Sequence, residues 1–399
     1  MAMKLQFYIR FHTQFGQSLW LSGNIDELGN DDPSNAQLME YLNDEYWHYH
    51  FEIRKRDIQK NIHYKYYLKN EDGELIAEGG HDRELNGFSK DVHEIELIDV
   101  WNHAGEYENV FFSAPFKKVW LKSAKSETKN KTDKSFTHIF KVKAPLLRKN
   151  EAVCLSGNGE SLNNWSTDKP QLMAKEGDWW TIRTDLSKSG FPVAYKYGVY
   201  NTKEKKFVAF ENGNNRLLNK EASKKKIVVL HDGFIHLPNN TWKGAGVAIP
   251  VFSLRSKNSF GVGEFSDIKL LADWAKDAGI KLIQILPVND TIATNSWLDS
   301  YPYAAISAFA LHPLYINLAK LAGKENAGII NSLKGNQKQL NELPEVDYEE
   351  VMKYKLATLK KLYEVMSTEC FESDDYKQFF DSNRHWLQPY AAFCYFRDK

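Results

Sequence analysis

Neither sign of charge prevails in this chain: across 399 residues, 52 Lys and Arg balance 52 Asp and Glu. A balanced surface makes no long-range field, so neither nucleic acid nor an anionic membrane is expected as a partner, and the ligand can be uncharged. Cysteine is scarce. Cys154, Cys370 and Cys394 are far apart, odd in number and without metal-ligand spacing. They read as reduced thiols in a reducing, cytoplasmic compartment rather than as a disulfide frame. The opening "MAMKLQFYIRFHTQF" has no long apolar core and no small-residue cleavage site, and no stretch approaches membrane-spanning length. The expectation is a soluble intracellular protein; no motif sets an oligomeric state.

Aromatic residues are abundant, at 14% with 11 Trp and 20 Tyr. The cores of β-sandwiches absorb many such rings, and a surface that stacks on sugars can use others. The chain also repeats itself. "LSGN" at 21–24 returns at 155–158, and "YWHYHFEI" around Trp47 returns as "WWTIRTDL" around Trp180. "YKYYL" from Tyr64 returns as "YKYGV" from Tyr195, and Asp82-Arg83 returns as Asn215-Arg216. The order is kept throughout, which predicts two homologous modules, at 1–112 and 113–236.

Within each module short alternating runs such as "KLQFYIRFHT", "HYKYYL" and "HIFKVKA" are punctuated by Gly, Asn, Asp and Pro. That spacing predicts two antiparallel β-sandwiches. The basic stretch at 122–135 reads as a solvated loop, "NEDGEL" at 70–75 as a hairpin turn, and "FIHLPNNTWKGAG" at 234–246 as a linker. Beyond it the texture changes. "GAGVAIPVFSL" and "KLIQILPV" are apolar throughout and flank "FSDIKLLADWAKDAGI", where Ile268, Leu271, Ala272 and Ala275 share a helical face. Ser266 is the expected cap of that helix and Gly279 follows its end. Strand, helix and strand with apolar strands mark a parallel sheet covered by helices, and the chain after Pro313 reads as largely helical.

Each repeated module resembles the glucoamylase-type starch-binding module, carbohydrate-binding family 20. The second copy carries "CLSGNGESLNNW", "DWWTIR", "AYKYGV" and "AFENGNNR"; the first carries "LWLSGNIDELGND", "YWHYHF", "HYKYYL" and "AEGGHDR". The region 245–399, with "GVAIPVFSLRS", "FGVGEFSD", "IQILPVND", "DSYPYAAISAFALHPLYINL" and "NRHWLQPYAAFC", resembles the amylomaltase or disproportionating-enzyme family, glycoside hydrolase family 77. The resemblance implies two starch-binding sandwiches followed by the start of a (β/α)8 TIM barrel with a helical insertion. It implies glucosyl transfer with retention among maltose and α-1,4-glucans, no metal and no organic cofactor, and α-glucans such as starch or glycogen as partners.

Carried over residue by residue, the resemblance makes Trp165 a stacking ring, with Phe210 in place of the family's second one. Lys196 becomes a hydroxyl-binding lysine and Asn215 its polar partner. The alternative for Trp165 is a core aromatic; Trp180, on an alternating strand, reads as core. The first copy departs from the pattern: Asp31 or Asp32 takes the place of the stacking Trp and Ala77 that of the second aromatic, so this platform is lost or moved. Tyr303 matches the ring packed beside the scissile bond, with Asp299, Ser300 and His312 as secondary substrate contacts. The catalytic carboxylate motifs of the family do not occur after residue 245. A barrel needs about 250 residues, so the expectation is a chain that stops before its catalytic residues, with no residue here catalytic. Two rival readings stay open: a glucan-binding scaffold without enzymatic activity, and an α-amylase-type hydrolase.

Overall fold

The computed structural model describes residues 2–54, 61–85, 88, 91–121, 136–222, 225–238 and 241–399. The basic stretch at 122–135 lies outside the described residues. The chain divides into two compact units, Met1–Trp242 and Lys243–Lys399.

The first half of unit one holds β1 (Ala2–Arg10), β2 (Ser18–Gly23), β3 (Gln37–Leu38), β4 (Glu40–Tyr41), β5 (Tyr46–Arg54), β6 (Ile62–Lys69), β7 (Leu75–Ala77), β8 (Arg83–Leu85) and β9 (Glu94–Val100). The second half repeats the series as β10 (His138–Lys143), β11 (Glu151–Gly157), β12 (Gln171–Leu172), β13 (Ala174–Glu176), β14 (Trp179–Thr184), β15 (Val193–Asn201), β16 (Lys206–Phe210), β17 (Arg216–Leu218) and β18 (Lys226–Phe234). Each half has its own five-stranded sheet, β3-β2-β6-β7 with β8 on β6, and β12-β11-β15-β16 with β17 on β15. The alternation read from the sequence is realised cleanly in β6: Ile62, Tyr64, Tyr66 and Leu68 point inward, while His63, Lys65, Tyr67 and Lys69 face out.

The remaining strands do not form two separate sheets. They join into one eight-stranded sheet, β13-β14-β10-β18-β9-β1-β5-β4. The seam is a parallel ladder between β9 and β18, running from Glu94 opposite Lys226 to Asp99 opposite His231. Because successive residues of a strand point to opposite faces, β18 serves both cores. Ile227 and Val229 pack with Leu21, Tyr64 and Leu97 in the first. Val228 and Leu230 pack with Leu155, Tyr195 and Phe140 in the second. The two small sheets therefore cover opposite faces of the shared sheet. A strand buried on both sides must be apolar throughout, which is why "IVVL" at 227–230 does not alternate. Trp180, 4% exposed, lies in the second core as expected.

Unit two opens with β19 (Gly246–Ile249), α1 (Phe265–Asp277) and β20 (Leu282–Ile285), and the two strands pair in parallel. This is the strand, helix, strand unit read from the sequence. One detail differs: α1 begins at Phe265, so Ser266 lies inside its first turn and Glu264 is the cap. The Asp267 carboxylate reaches back to accept from the Glu264 N–H at 2.8 Å, and Ser256 and Ser259 hold that carboxylate at 2.6 and 2.8 Å. Helices α2 (Leu318–Ala322), α3 (Ala327–Asn331), α4 (Lys334–Glu342), α5 (Tyr348–Glu372) and α6 (Asp374–Arg397) follow. Their core gathers Val251, Phe260, Val262, Leu314, Leu340, Val351 and Met352. Lys355 is fully buried in it; its ammonium donates to Glu264 at 2.6 Å and to the Leu314 and Ile316 carbonyls at 2.6 and 2.8 Å. No described helix is long and apolar enough to cross a membrane.

Candidate functional site

The motif "YKY" of the second half explains itself on β15. Tyr195 and Tyr197 point into the core, where both hydroxyls donate to one carboxylate oxygen of Asp232, at 2.9 and 2.7 Å. Burial beside that carboxylate pushes both phenols well above the ordinary tyrosine range. Arg216 on β17 clamps Glu211 through two bonds of 3.0 and 2.8 Å and donates to the Asp232 carbonyl at 3.1 Å. Glu211 in turn accepts from the Tyr197 N–H at 3.1 Å. This charged, fully partnered scaffold fixes β15 from within and leaves Lys196, between the two tyrosines, facing out. The Lys196 ammonium donates to the Gly213 carbonyl at 2.6 Å.

Trp165 closes a short turn after β11. Asn163, Asn164 and Trp165 all adopt left-handed backbone, with φ of 57, 47 and 61°, a conformation that Asn tolerates and Trp rarely takes. The strained turn carries the indole out of the core. Trp165 is half-buried, and its ring meets that of Phe210 edge to face, 6.4 Å between centroids at 75°. Phe210 also meets Phe207, at 4.6 Å. Phe207 is the ring the sequence reading did not include; its signal is Gly198, opposite Phe210 on β15. A methyl group on Gly198 would lie 2.7 Å from the Phe207 ring, so the glycine makes room for it. Trp165 and Phe210 thus meet outside the core, Lys196 faces outward on β15, and Asn215 is exposed in the loop after β16. An apolar ledge of rings beside a few polar groups suits an uncharged, amphipathic ligand.

The first half keeps the scaffold and changes the surface. Tyr64 and Tyr66 donate to Asp99 at 2.9 and 2.7 Å, and Arg83 bonds Glu78 and the Val100 carbonyl. Asp31 has the left-handed backbone of Trp165, φ 63°, but its carboxylate meets His63 at 3.0 Å. Lys65 pairs with Asp82 at 3.0 Å. Ala77 stands opposite Tyr67, as Phe210 stands opposite Gly198.

In unit two the four residues taken as sugar contacts separate. Tyr303 is 60% exposed, 5.6 Å from the equally exposed Tyr301. Ser300 is exposed and lines a cavity of about 430 Å³ with Phe252, Trp297, Tyr348 and Glu349. Asp299 and His312 are buried, 4% and 3% exposed, and occupied locally. Asp299 accepts from the Thr294 N–H and hydroxyl, at 3.0 and 2.9 Å; burial opposes its charge, but these bonds hold its carboxyl below the ordinary range. His312 caps the turn at Pro313–Tyr315 by accepting from the Leu314 N–H at 3.0 Å, and its other nitrogen lies 3.1 Å from the Tyr348 hydroxyl. Burial pulls its pKa down to about 4.

Residues 2–94 and 136–229 match the starch-binding domain of carbohydrate-binding family 20. Residues 249–399 match the 4-alpha-glucanotransferase family, glycoside hydrolase family 77. One chain thus matches two different families, each over less than half of its length. It is similar along its whole length to the 4-alpha-glucanotransferase DPE2 of Oryza sativa subsp. japonica, 34% identical over 417 residues, and spans 43% of that enzyme. It is also similar over shorter stretches to the 4-alpha-glucanotransferases of Chlamydia caviae, 37% identical over 149 residues, and Chlamydia muridarum, 34% over 154. Those two matches cover 37% and 38% of this chain, and 27% and 28% of the relatives. Both halves of unit one keep the Tyr-Asp and Arg-Glu scaffold described above; they differ in what that scaffold displays.

Proposed function

We propose that this chain is the glucan-holding portion of a 4-α-glucanotransferase. Its second starch-binding domain grips an α-1,4-glucan on Trp165 and Phe210, while Lys196 and Asn215 bond the sugar hydroxyls. The observation that carries this reading is the edge-to-face pair of Trp165 and Phe210. The rings are open to solvent in part, so they have apolar area left to bury against a sugar face.

In the same reading β19, α1 and β20 are the first βαβ unit of a (β/α)8 barrel. Leu282 and Ile285 stay 41% and 37% exposed on β20, apolar area of the kind that further barrel strands cover. Tyr303 and Ser300 then lie on the sugar path and Asp299 and His312 shape the loop that presents them. The reaction cleaves an α-1,4 bond, holds a glucosyl group on a carboxylate and passes it to another sugar's hydroxyl. No residue of this chain is assigned a catalytic role. A cytoplasmic setting belongs to the same reading and suits three free cysteines.

Calorimetry of β-cyclodextrin binding to the wild type and to Trp165→Ala tests the ledge. Losing an aromatic anchor costs about 2 kcal/mol, roughly thirtyfold in affinity; an unchanged affinity in a folded variant removes the site. For the reaction, the protein translated from the full reading frame is given maltose. Glucose together with longer glucans supports transfer, hydrolysis alone supports a hydrolase, and no turnover supports a scaffold.

A further inference from the structure

The two starch-binding domains present the same cross-strand row on the outer face of their small sheets, filled in opposite ways. In the second domain the row reads Leu172, Cys154, Gly198, Phe210. In the first it reads Leu38, Trp20, Tyr67, Ala77. The outer residue is Leu in both. The two central strands exchange Cys and Gly for Trp and Tyr, while the far strand exchanges Phe for Ala.

This is a swap of large for small across adjacent strands, and it keeps aromatic rings on the patch. In the second domain the ring of Phe207 lies over Gly198, and Cys154 beneath is fully buried. In the first domain the rings arise from the central strands themselves, and the small Ala77 stands opposite Tyr67. Cross-strand neighbours on one face stand about 5 Å apart, so Trp20 and Tyr67 form a contiguous surface.

Neither ring serves the core. Leu19, Leu21, Tyr66 and Leu68 fill it from the same strands, while Trp20 and Tyr67 remain half-buried on the other face. Beside them Leu38 is 52% exposed. Polar groups border the rings without burying a charge: the indole donates to Ser18 at 2.9 Å, and the Lys69 ammonium lies 5.0 Å from the Trp20 ring. The Tyr67 hydroxyl hydrogen-bonds no other described residue. Meanwhile Asp31–His63 and Lys65–Asp82 occupy the positions that carry the ledge in the second domain.

We propose that the first starch-binding domain carries its own α-glucan-binding face, built on Trp20 and Tyr67 instead of on the turn and the far strand. The occupant is a neutral α-glucan because residues 2–94 match a starch-binding domain, the rings are open, and Asp31 with His63 and Lys65 with Asp82 are already paired. The proposal rests on the glucan-binding reading of the second domain, and the experiment separates the two.

The 399-residue chain is titrated calorimetrically with β-cyclodextrin as wild type, Trp165→Ala, Tyr67→Thr, Trp20→Ala and Trp165→Ala with Tyr67→Thr. The expected pattern is two sites in the wild type, one in each single variant and none in the double variant. The surviving site should change by less than about twofold, because the two faces share no residues. Tyr67→Thr keeps a β-forming residue on an outer face, and circular dichroism confirms folding of each variant; Leu38→Lys, at an exposed position, is a further variant expected to weaken the same site. Complete loss of binding in Trp165→Ala overturns the proposal and leaves the second domain's ledge standing. So does an unchanged site count in folded Tyr67→Thr and Leu38→Lys. Wild-type protein that binds no β-cyclodextrin overturns the glucan-binding reading itself.

Discussion

Replacing His231 with Asn tests the seam between the two halves of unit one. His231 is 1% exposed on β18, and its Nδ1–H donates to Asp99 of β9 at 2.7 Å, across the parallel ladder. Trp179 lies 5.0 Å away and the other ring nitrogen has no partner among the described residues. Burial lowers the imidazole pKa from 6.5 to about 4; Asp99 pulls it up, and Lys141 and Arg83 push it down again. Burial also opposes the charge of Asp99, but Arg83 and His231 outweigh it and hold that carboxyl below its ordinary range. A histidine depressed in the folded state is neutral there while the unfolded chain takes up its proton. Its penalty is absent above pH 6.5 and grows as pH falls toward 4, at up to about 1.4 kcal/mol per pH unit. Between about pH 7 and 5 the loss works out at about 2 kcal/mol for this one group. Urea unfolding of the wild type and His231→Asn, followed by tryptophan fluorescence across this range, measures it. Asn keeps an amide donor for Asp99 and cannot titrate, so the difference between the two proteins isolates His231 from His138 and His312, whose pKa values are also about 4. The wild type should lose about 2 kcal/mol more than the variant. Parallel pH curves for the two proteins would refute a buried neutral His231.

Two other substitutions probe the scaffold. Lys355→Ala leaves Glu264 buried without its cation and should destabilise unit two by about 3–5 kcal/mol in urea melts; Lys355→Met with Glu264→Gln should recover most of that loss. Gly198→Val drives a side chain into the space of the Phe207 ring, and overpacking of this kind costs about 1–3 kcal/mol. The same change should displace Phe210 and weaken β-cyclodextrin binding, which calorimetry reads directly.

The amino-acid order by itself determined the local architecture. Alternation in "HYKYYL" and "AYKYGV" placed three residues of each motif inward and the lysine outward, because a strand's side chains alternate whatever lies around it. The repeat of "LSGN", "YK" and the Arg at 83 and 216 made two like domains legible, and "GVAIPV", α1 and "KLIQIL" announced a parallel pair. Trp165 and Phe210 were named through the family resemblance of their motifs, and the fold brings the two rings edge to face. Only the tertiary structure decided that β9 and β18 weld the domains into one sheet, since an apolar run such as "IVVL" says that both faces are buried but not by what. It alone assigned Asp99 and Asp232 to their tyrosine pairs, and turned Asp299 and His312 inward to staple and cap their own loop. The exchange of Trp20 and Tyr67 for Phe210 also stayed hidden in the linear order. Which residues face one another across strands depends on register, and register is a property of the assembled sheet.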